Sequence, residues 1–286
     1  MGITVNTNMQ AIRVQGNLNS ATTKMNTAME RMSSGYRINR AKDDAAGYAV
    51  SATFSKNISG AKIAMNNVAM GNDLLATAEG SLGVIKSNLE RIRDLTEQAA
   101  NGTYSKADLD GIATEVSERL KQIVHQATHT SFNGKELLDG SQSSGVDLQV
   151  GSEAGTILKL DASIFANATY DASSTMDLSS VATTISNPTS TSAQISAKLT
   201  DIDAAITDVI NRKTKIGASS NRLDALSEGL DVQRTNMTSA LSTVKDADIA
   251  EESATYVQQQ ILQSASATLL TQANSAPQIA LTLIQG

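Results

Sequence analysis

Cysteine is absent from this chain of 286 residues, which excludes disulfides, thiolate metal sites and thiol catalysis. Tryptophan is absent as well, proline occurs twice, and aromatics make up only 3%, so the 40% apolar content is carried by Ala, Leu, Ile, Val and Met. Those residues suit long helices packed side by side better than a core built on large anchors. A formal net charge of -6 provides no basic footprint for nucleic acid. No apolar run of about 18 residues occurs, so no membrane insertion is expected. The opening Met1-Gly2-Ile3-Thr4-Val5-Asn6 has neither the basic start nor the apolar core of a secretory signal, and Asn6 stands where a myristoylation motif requires Ser or Thr.

A further scarcity is local. From Ser253 to Gly286 there is no Asp, Glu, Lys, Arg or His, yet the segment reads as helix for most of its length. Val257, Ile261, Ala265, Leu269 and Ala273 form an apolar row at helical spacing, and the remaining positions are mostly Gln, Ser, Thr and Asn. A solitary surface helix carries charges on its solvent face. Amides and hydroxyls instead suit a helix surrounded by protein, because they can be satisfied without desolvating an ion. The segment is therefore expected to be buried in an assembly.

Helical periodicity recurs at both ends of the chain. Ala11, Val14, Leu18, Ala21, Met25, Ala28 and Met32 make a heptad seam, and Val68 through Leu75, Leu82, Ile85, Leu89, Ile92 and Ala99 make a second. Gly102 ends that helix, and Ser105 with Asp108 resembles a capping box opening a third, striped by Leu109, Ile112, Val116, Leu120 and Ile123. Periodicity returns from Ile195 through Ile202, Val209, Ile216, Leu223 and Leu230 to Leu241 and Val244. In between, Val146-Asp147-Leu148-Gln149-Val150 alternates and is followed by a turn and a return strand over 156–160, predicting one β-hairpin. The Ser/Thr-rich stretch 171–193 shows no period and reads as an exposed connector. The fold class is mainly α, a long antiparallel helical rod or coiled-coil bundle with a small β-hairpin.

Charge adds a register. Residues 1–44 carry Arg13, Lys24, Arg31, Arg37, Arg40 and Lys42 against Glu30, Asp43 and Asp44, whereas 241–286 carry Lys245 against Asp246, Asp248, Glu251 and Glu252. Antiparallel pairing of the two ends, with facing residue numbers summing to around 285, sets the basic run 37–42 against the acidic run 246–252.

No catalytic, cofactor-binding or metal constellation is expected. His125 and His129 have the i, i+4 spacing of zinc ligands, but Gln126 replaces the glutamate base of a metallopeptidase and no third ligand is evident. Asp246 to Glu252 lacks the glycine and ligand spacing of a calcium loop and reads as an acidic helix start. There is no phosphate loop, nucleotide fingerprint or nucleophile elbow.

Several runs are more specific than periodicity. Ser33-Ser34-Gly35-Tyr36-Arg37-Ile38-Asn39-Arg40-Ala41-Lys42-Asp43-Asp44-Ala45-Ala46-Gly47 resembles the signature after the first helix of bacterial flagellins. Asn88 to Leu95, Thr130-Ser131-Phe132-Asn133-Gly134, Asp246 to Glu252, Gln260-Ile261-Leu262-Gln263 and Gln272-Ala273-Asn274 are similar to flagellin in the same order. The closing Leu283-Ile284-Gln285-Gly286 departs from relatives that finish on a basic residue. The resemblance implies a minimal flagellin, a non-enzymatic subunit that polymerises with itself into a motility filament outside the cell, its terminal helices pairing in the filament. It implies type III export and, as partners, an export chaperone, the filament cap and hook-filament junction proteins. The domain layout it implies is 1–44 and 241–286 as the inner-tube domain, 45–170 and 194–240 as the outer rod, and 171–193 as the central connector. End pairing and polymerisation are expected to involve Leu18, Met25, Met32, Arg37, Arg40, Asp246, Asp248, Val257, Ile261 and Leu269. Arg91, Leu95, Gln98 and Glu115 match the surface recognised by the vertebrate Toll-like receptor for flagellin. The alternative reading is a hook-filament junction protein, which shares such terminal helices.

Overall fold

The computed structural model describes residues 7–285 apart from 154, 173 and 175, and side chains as far as 275. The opening Met1 to Asn6 and the final Gly286 lie outside the described residues. Six α-helices run in chain order: α1 (Met9–Ser34), α2 (Ala45–Ala99), α3 (Lys106–His129), α4 (Ser180–Ser186), α5 (Ser192–Lys245) and α6 (Ile249–Gln285). Two hairpins lie between α3 and α4: β1 (Ser131–Phe132) with β2 (Lys135–Glu136), and β3 (Val146–Gln149) with β4 (Ile157–Leu160). The chain divides into two compact units, Met1–Ile58 with Thr235–Gly286, and Ser59–Arg234. The division falls inside α2 and α5, both of which run through it.

The second unit holds the main core. Every seam position of α2, from Val68 and Gly71 through Leu82, Ile85 and Ile92 to Ala99, is buried. Facing them in one continuous cluster are Ile112, Val116 and Ile123 of α3 and Ile202, Val209, Ile216 and Leu223 of α5. Helix α3 opens on the capping box expected from sequence: the Ser105 hydroxyl accepts from the Asp108 N–H, and the Asp108 carboxylate accepts from the Ser105 N–H at 3.0 Å. The Ser105 hydroxyl, which also donates to the Asp108 carboxylate at 2.6 Å, and then the Ser105 N–H hold that carboxyl below its ordinary range.

The β3–β4 hairpin pairs Val146 with Leu160 and Leu148 with Leu158, so one face enters the core. Gly71 makes that docking possible, since a Cβ there would lie 2.5 Å from Leu148 Cδ1. The Asn67 amide then ties the hairpin to α2 by donating to the Gln149 carbonyl at 2.9 Å.

Two expectations are corrected here. The β content is two hairpins rather than one: Asn133 and Gly134, with φ of 49° and 75°, make the tight turn that joins β1 to β2. The stretch 171–193 is not simply an exposed connector, because it contains α4 and buries Leu178, Val181 and Ile185 against the core. The i, i+3, i+7 spacing of those three was concealed by the surrounding Ser, Thr and Asp.

Between β4 and α4 the chain is pinned by one polar cluster. Arg212 of α5, only 6% exposed, donates to the carbonyls of Ala166 and Asn167 and pairs with Asp208 at 2.7 Å. The Tyr170 hydroxyl donates to the same Asp208 carboxylate at 2.8 Å, and Tyr170 holds the left-handed backbone at φ 51°. Burial pushes the Tyr170 phenol well above its ordinary pKa. A bulky residue at positive φ is strained, so the buried hydrogen bonds must hold it there. Arg212→Ala removes the donor from two carbonyls and a part-buried carboxylate, and is expected to cost about 3–5 kcal/mol in urea unfolding.

Candidate assembly interface

In the first unit the two ends of the chain pair. Helix α1 starts at the Asn8 cap, whose side chain accepts from the Ala11 N–H at 3.0 Å, and ends at Gly35 in the left-handed conformation, φ 74°. Helix α6 starts at the Asp248 cap, which accepts from the Ala250 N–H at 2.8 Å, with Glu251 and Glu252 in its first turn where the helix dipole favours negative charge. The acidic run is thus a helix start. Asp43 and Asp44 also build backbone: Asp43 accepts from the Asn39 and Arg40 N–H groups, and Asp44 from the Gly47 N–H at 2.9 Å as α2 begins. The bond from Arg40 holds the Asp43 carboxyl below its ordinary range.

The α1–α6 seam is made of small side chains. Ala21 and Ala28 of α1 are buried, Leu18, Met25 and Met32 are half-buried beside them, and α6 contributes buried Gln259, Ser266 and Ala273. Each buried set recurs every seven residues, the repeat that keeps two helices in register. Named contacts give the alignment: Arg31 to Glu252 at 2.8 Å, Ser253 to Met32 at 3.3 Å, Gln263 to Thr22 at 3.0 Å, and the Asn8 amide to the Ala273 carbonyl at 2.7 Å. Facing numbers therefore sum close to the value read from charge.

The charged partners differ from that reading. Arg37 donates its guanidinium to the Val244 carbonyl at 2.6 Å and its backbone N–H to the Lys245 carbonyl at 2.7 Å, while Arg40 pairs with Glu30 at 2.9 Å. Asp246 meets Tyr36 through a backbone bridge, and the Lys245 ammonium lies 4.2 Å from the centre of the Tyr36 ring. The reason is the end of α5: the Val244 and Lys245 carbonyls are among the last of that helix and lack intrahelical donors, so the Arg37 guanidinium and N–H take them once the chain leaves α1 at Gly35. Arg31, still on α1, carries the ion pair instead.

The apolar row of α6 also behaves differently from its grouping in sequence. Ala273 faces α1, but Val257, Ile261 and Leu269 are 52%, 63% and 57% exposed. An i, i+4 row turns about 40° around the helix at each step, whereas the seven-residue repeat drifts only about 20°, so the two rows occupy different faces. Helix α6 thus closes one face on α1 and leaves uncharged apolar side chains open, and α1 separately exposes Met9, Ile12 and Met29. Sequence reasoning did not single out Gln259 and Ser266, because polar residues at seven-residue spacing carry no apolar signal.

The four residues of the expected receptor surface lie on α2 and α3. Arg91 grips Glu115 through two nitrogens at 3.0 and 3.4 Å, Arg119 reaches the same carboxylate at 3.1 Å, and Gln98 donates to the Tyr104 hydroxyl at 2.8 Å. Arg91 and then Arg119 hold the Glu115 carboxyl below its ordinary range. Leu95 is 2% exposed and belongs to the core, so it is corrected from a surface contact to a packing residue. The His125 and His129 rings stack at 4.1 Å, with His129 Nδ1 3.0 Å from the His125 carbonyl oxygen. Among the described residues no three His, Cys, Asp or Glu side chains gather into a metal cage, and no helix is long and apolar enough to cross a membrane.

A mainly helical chain whose first and last helices pair, with one face of the last helix left apolar and uncharged, is a structural subunit rather than a receptor of small molecules. Comparison with known proteins gives the family. Residues 5–143 match the bacterial flagellin N-terminal helical region, and residues 199–284 match the bacterial flagellin C-terminal helical region. Flagellin of Bacillus subtilis (strain 168) is 34% identical over 98% of this chain and 99% of its own length. Flagellin of Xenorhabdus nematophila is 34% identical over the whole of both chains. A putative flagellar hook-associated protein from Vibrio parahaemolyticus has a solved structure with a TM-score of 0.59 at 18% identity, covering 71% of this chain and all of that one, a likeness of fold. The chain belongs to the bacterial flagellin family. It is a structural subunit of the flagellar filament, which assembles from copies of itself, and with only 144–198 between the two matched regions it is a minimal form.

Gly35 is the residue on which the end pairing turns. A Cβ there would meet nothing within 4 Å, so Gly35→Ala tests backbone strain alone. It is expected to weaken the α1–α6 pair by about 1–2 kcal/mol, read as a lower midpoint for loss of terminal helix by circular dichroism, with Gly35→Asn costing less.

Proposed function

We propose that this flagellin polymerises by burying the open face of the α1–α6 pair against a different face of the same pair in neighbouring copies, a head-to-tail contact that repeats to form the inner tube of the filament. The observation that carries the reading is the exposure of Val257, Ile261 and Leu269 on a helix with no charge beyond Glu252. Each is already about half covered, so burying the remainder is worth about 1–2 kcal/mol per side chain, and no ion has to be desolvated as the helices close. In this reading 1–44 and 241–286 line the tube, 45–170 and 194–240 form the outer rod, and 171–193 lies outermost. The subunit is exported by the type III route with an export chaperone, and it meets the filament cap and the hook-filament junction proteins outside the cell. Coverage by neighbours completes the folding of the terminal helices, which guards against premature assembly.

A hook-filament junction protein is the competing role, favoured by the likeness of fold to the hook-associated protein. The two separate on growth: a filament subunit elongates seeds without limit, whereas a junction protein stops at a short layer. Electron microscopy of the chain with filament seeds should show long tubes. The double variant Val257→Asp with Ile261→Asp should show none, while keeping its helical circular dichroism, because two unpaired carboxylates cannot be buried at such an interface.

We also read the exposed Arg91, Gln98 and Glu115 as a surface for the vertebrate Toll-like receptor for flagellin, with Leu95 supporting it from beneath. The ordered Arg91–Glu115–Arg119 array supports this by presenting fixed charges across two adjacent helices. Arg91→Ala with Glu115→Ala should lower signalling in receptor-expressing reporter cells by about tenfold or more at unchanged monomer stability.

A further inference from the structure

We infer that Arg31 with Glu252, Arg37 with the end of α5, and the backbone bonds joining 35–37 to 245–247 form a clasp that pairs first and fixes the register from which α1 and α6 zip toward their tips; this rests on the assembly reading above. The inference begins with the uneven distribution of contacts. Where α1 ends and α6 begins, Arg37 N–H donates to the Lys245 carbonyl at 2.7 Å and Ala247 N–H to the Gly35 carbonyl at 2.9 Å. The Arg37 guanidinium takes the Val244 carbonyl at 2.6 Å, the Lys245 ammonium sits over the Tyr36 ring, and Arg31 pairs with Glu252, whose side chain is only 12% exposed. Farther along, the named polar contacts are Gln263 with Thr22 and Asn8 with Ala273. There the helices leave a groove of about 480 Å³ lined by Gln10, Arg13, Val14, Leu269, Gln272 and Ala273.

Chain connectivity points the same way. Residues 59–234 form a unit with its own core, in which the Asn72 amide donates to Asp224 at 2.8 Å and so joins α2 to α5. Counted along the chain from that unit, the clasp lies nearer than the tips. Closing the shorter loops costs less entropy, and once the clasp is shut each further turn pairs as an extension of an existing contact. An unclasped chain must instead find its register among alanines, serines and glutamines, which discriminate one alignment from another poorly.

The absence of cysteine makes the order of pairing measurable by disulfide trapping. The full chain is prepared with Tyr36→Cys and Asp246→Cys, which stand opposite one another in a backbone bridge, or with Thr22→Cys and Gln263→Cys, whose native side chains touch. Cross-linking of the dilute monomer under a glutathione redox buffer should proceed several-fold faster at 36–246 than at 22–263. Adding Arg31→Glu should slow the 22–263 cross-link about fivefold, and combining Arg31→Glu with Glu252→Arg should restore it. A 22–263 rate that ignores both charge changes, or that exceeds the 36–246 rate, overturns the clasp. Seed elongation by the uncross-linked chain is scored separately: a chain that pairs in this order yet cannot elongate seeds overturns the filament interface and leaves the clasp standing.

Discussion

The end of the molecule that assembles depends on bringing the first and last helices of the chain together along a seam whose buried positions are alanines and polar side chains. Ala21 and Ala28 on one side and Gln259, Ser266 and Ala273 on the other bring the helices close and bury modest area. Such a seam supplies little hydrophobic free energy of its own. Two consequences are built into the rest of the molecule. The register is specified at one end by polar contacts and backbone bonds, and the remaining apolar surface is displayed rather than consumed. The contrast with residues 59–234 is physical: there Leu, Ile and Val from α2, α3 and α5 fill a continuous core that needs no neighbour.

Much of this was legible in the sequence, for identifiable reasons. The α2 seam from Val68 to Ala99 could be read position by position because a buried helix in a bundle repeats its apolar residues, and Ser105 with Asp108 announced a helix start because capping chemistry is local. The flagellin signature around Gly35 to Asp44 gave the family. Other features were hidden. Leu178, Val181 and Ile185 disappeared among hydroxyl residues, so α4 was missed. Asn133-Gly134 was read as a family mark although its turn chemistry also joins two strands. The partner of Arg37 could not be inferred from charge, since a guanidinium beside the end of a helix takes its unsatisfied carbonyls as readily as a carboxylate. Leu95 shows a limit of matching by position: a residue can hold its family place and still point inward.

Helix α6 combines two periodicities that a single count cannot separate. One repeats every seven residues and fits α1, while the other advances in fours and rotates away from it. A helix carrying both can satisfy its own chain and still offer a face to another. The Arg212 cluster solves a different problem in the other unit, where an irregular segment crosses the helices and its carbonyls would otherwise be buried without donors. There a charge is accepted because it answers several acceptors at once.

The uncharged stretch beyond Glu252 has a consequence for the environments a filament can withstand. Contacts made by amides, hydroxyls and hydrocarbon have no proton to gain or lose between acid and alkali and no ionic attraction for salt to screen. Sensitivity of the α1–α6 pair to acid and to salt is therefore confined to the first turn of α6, where Glu252 meets Arg31, and fades along the rest of the helix.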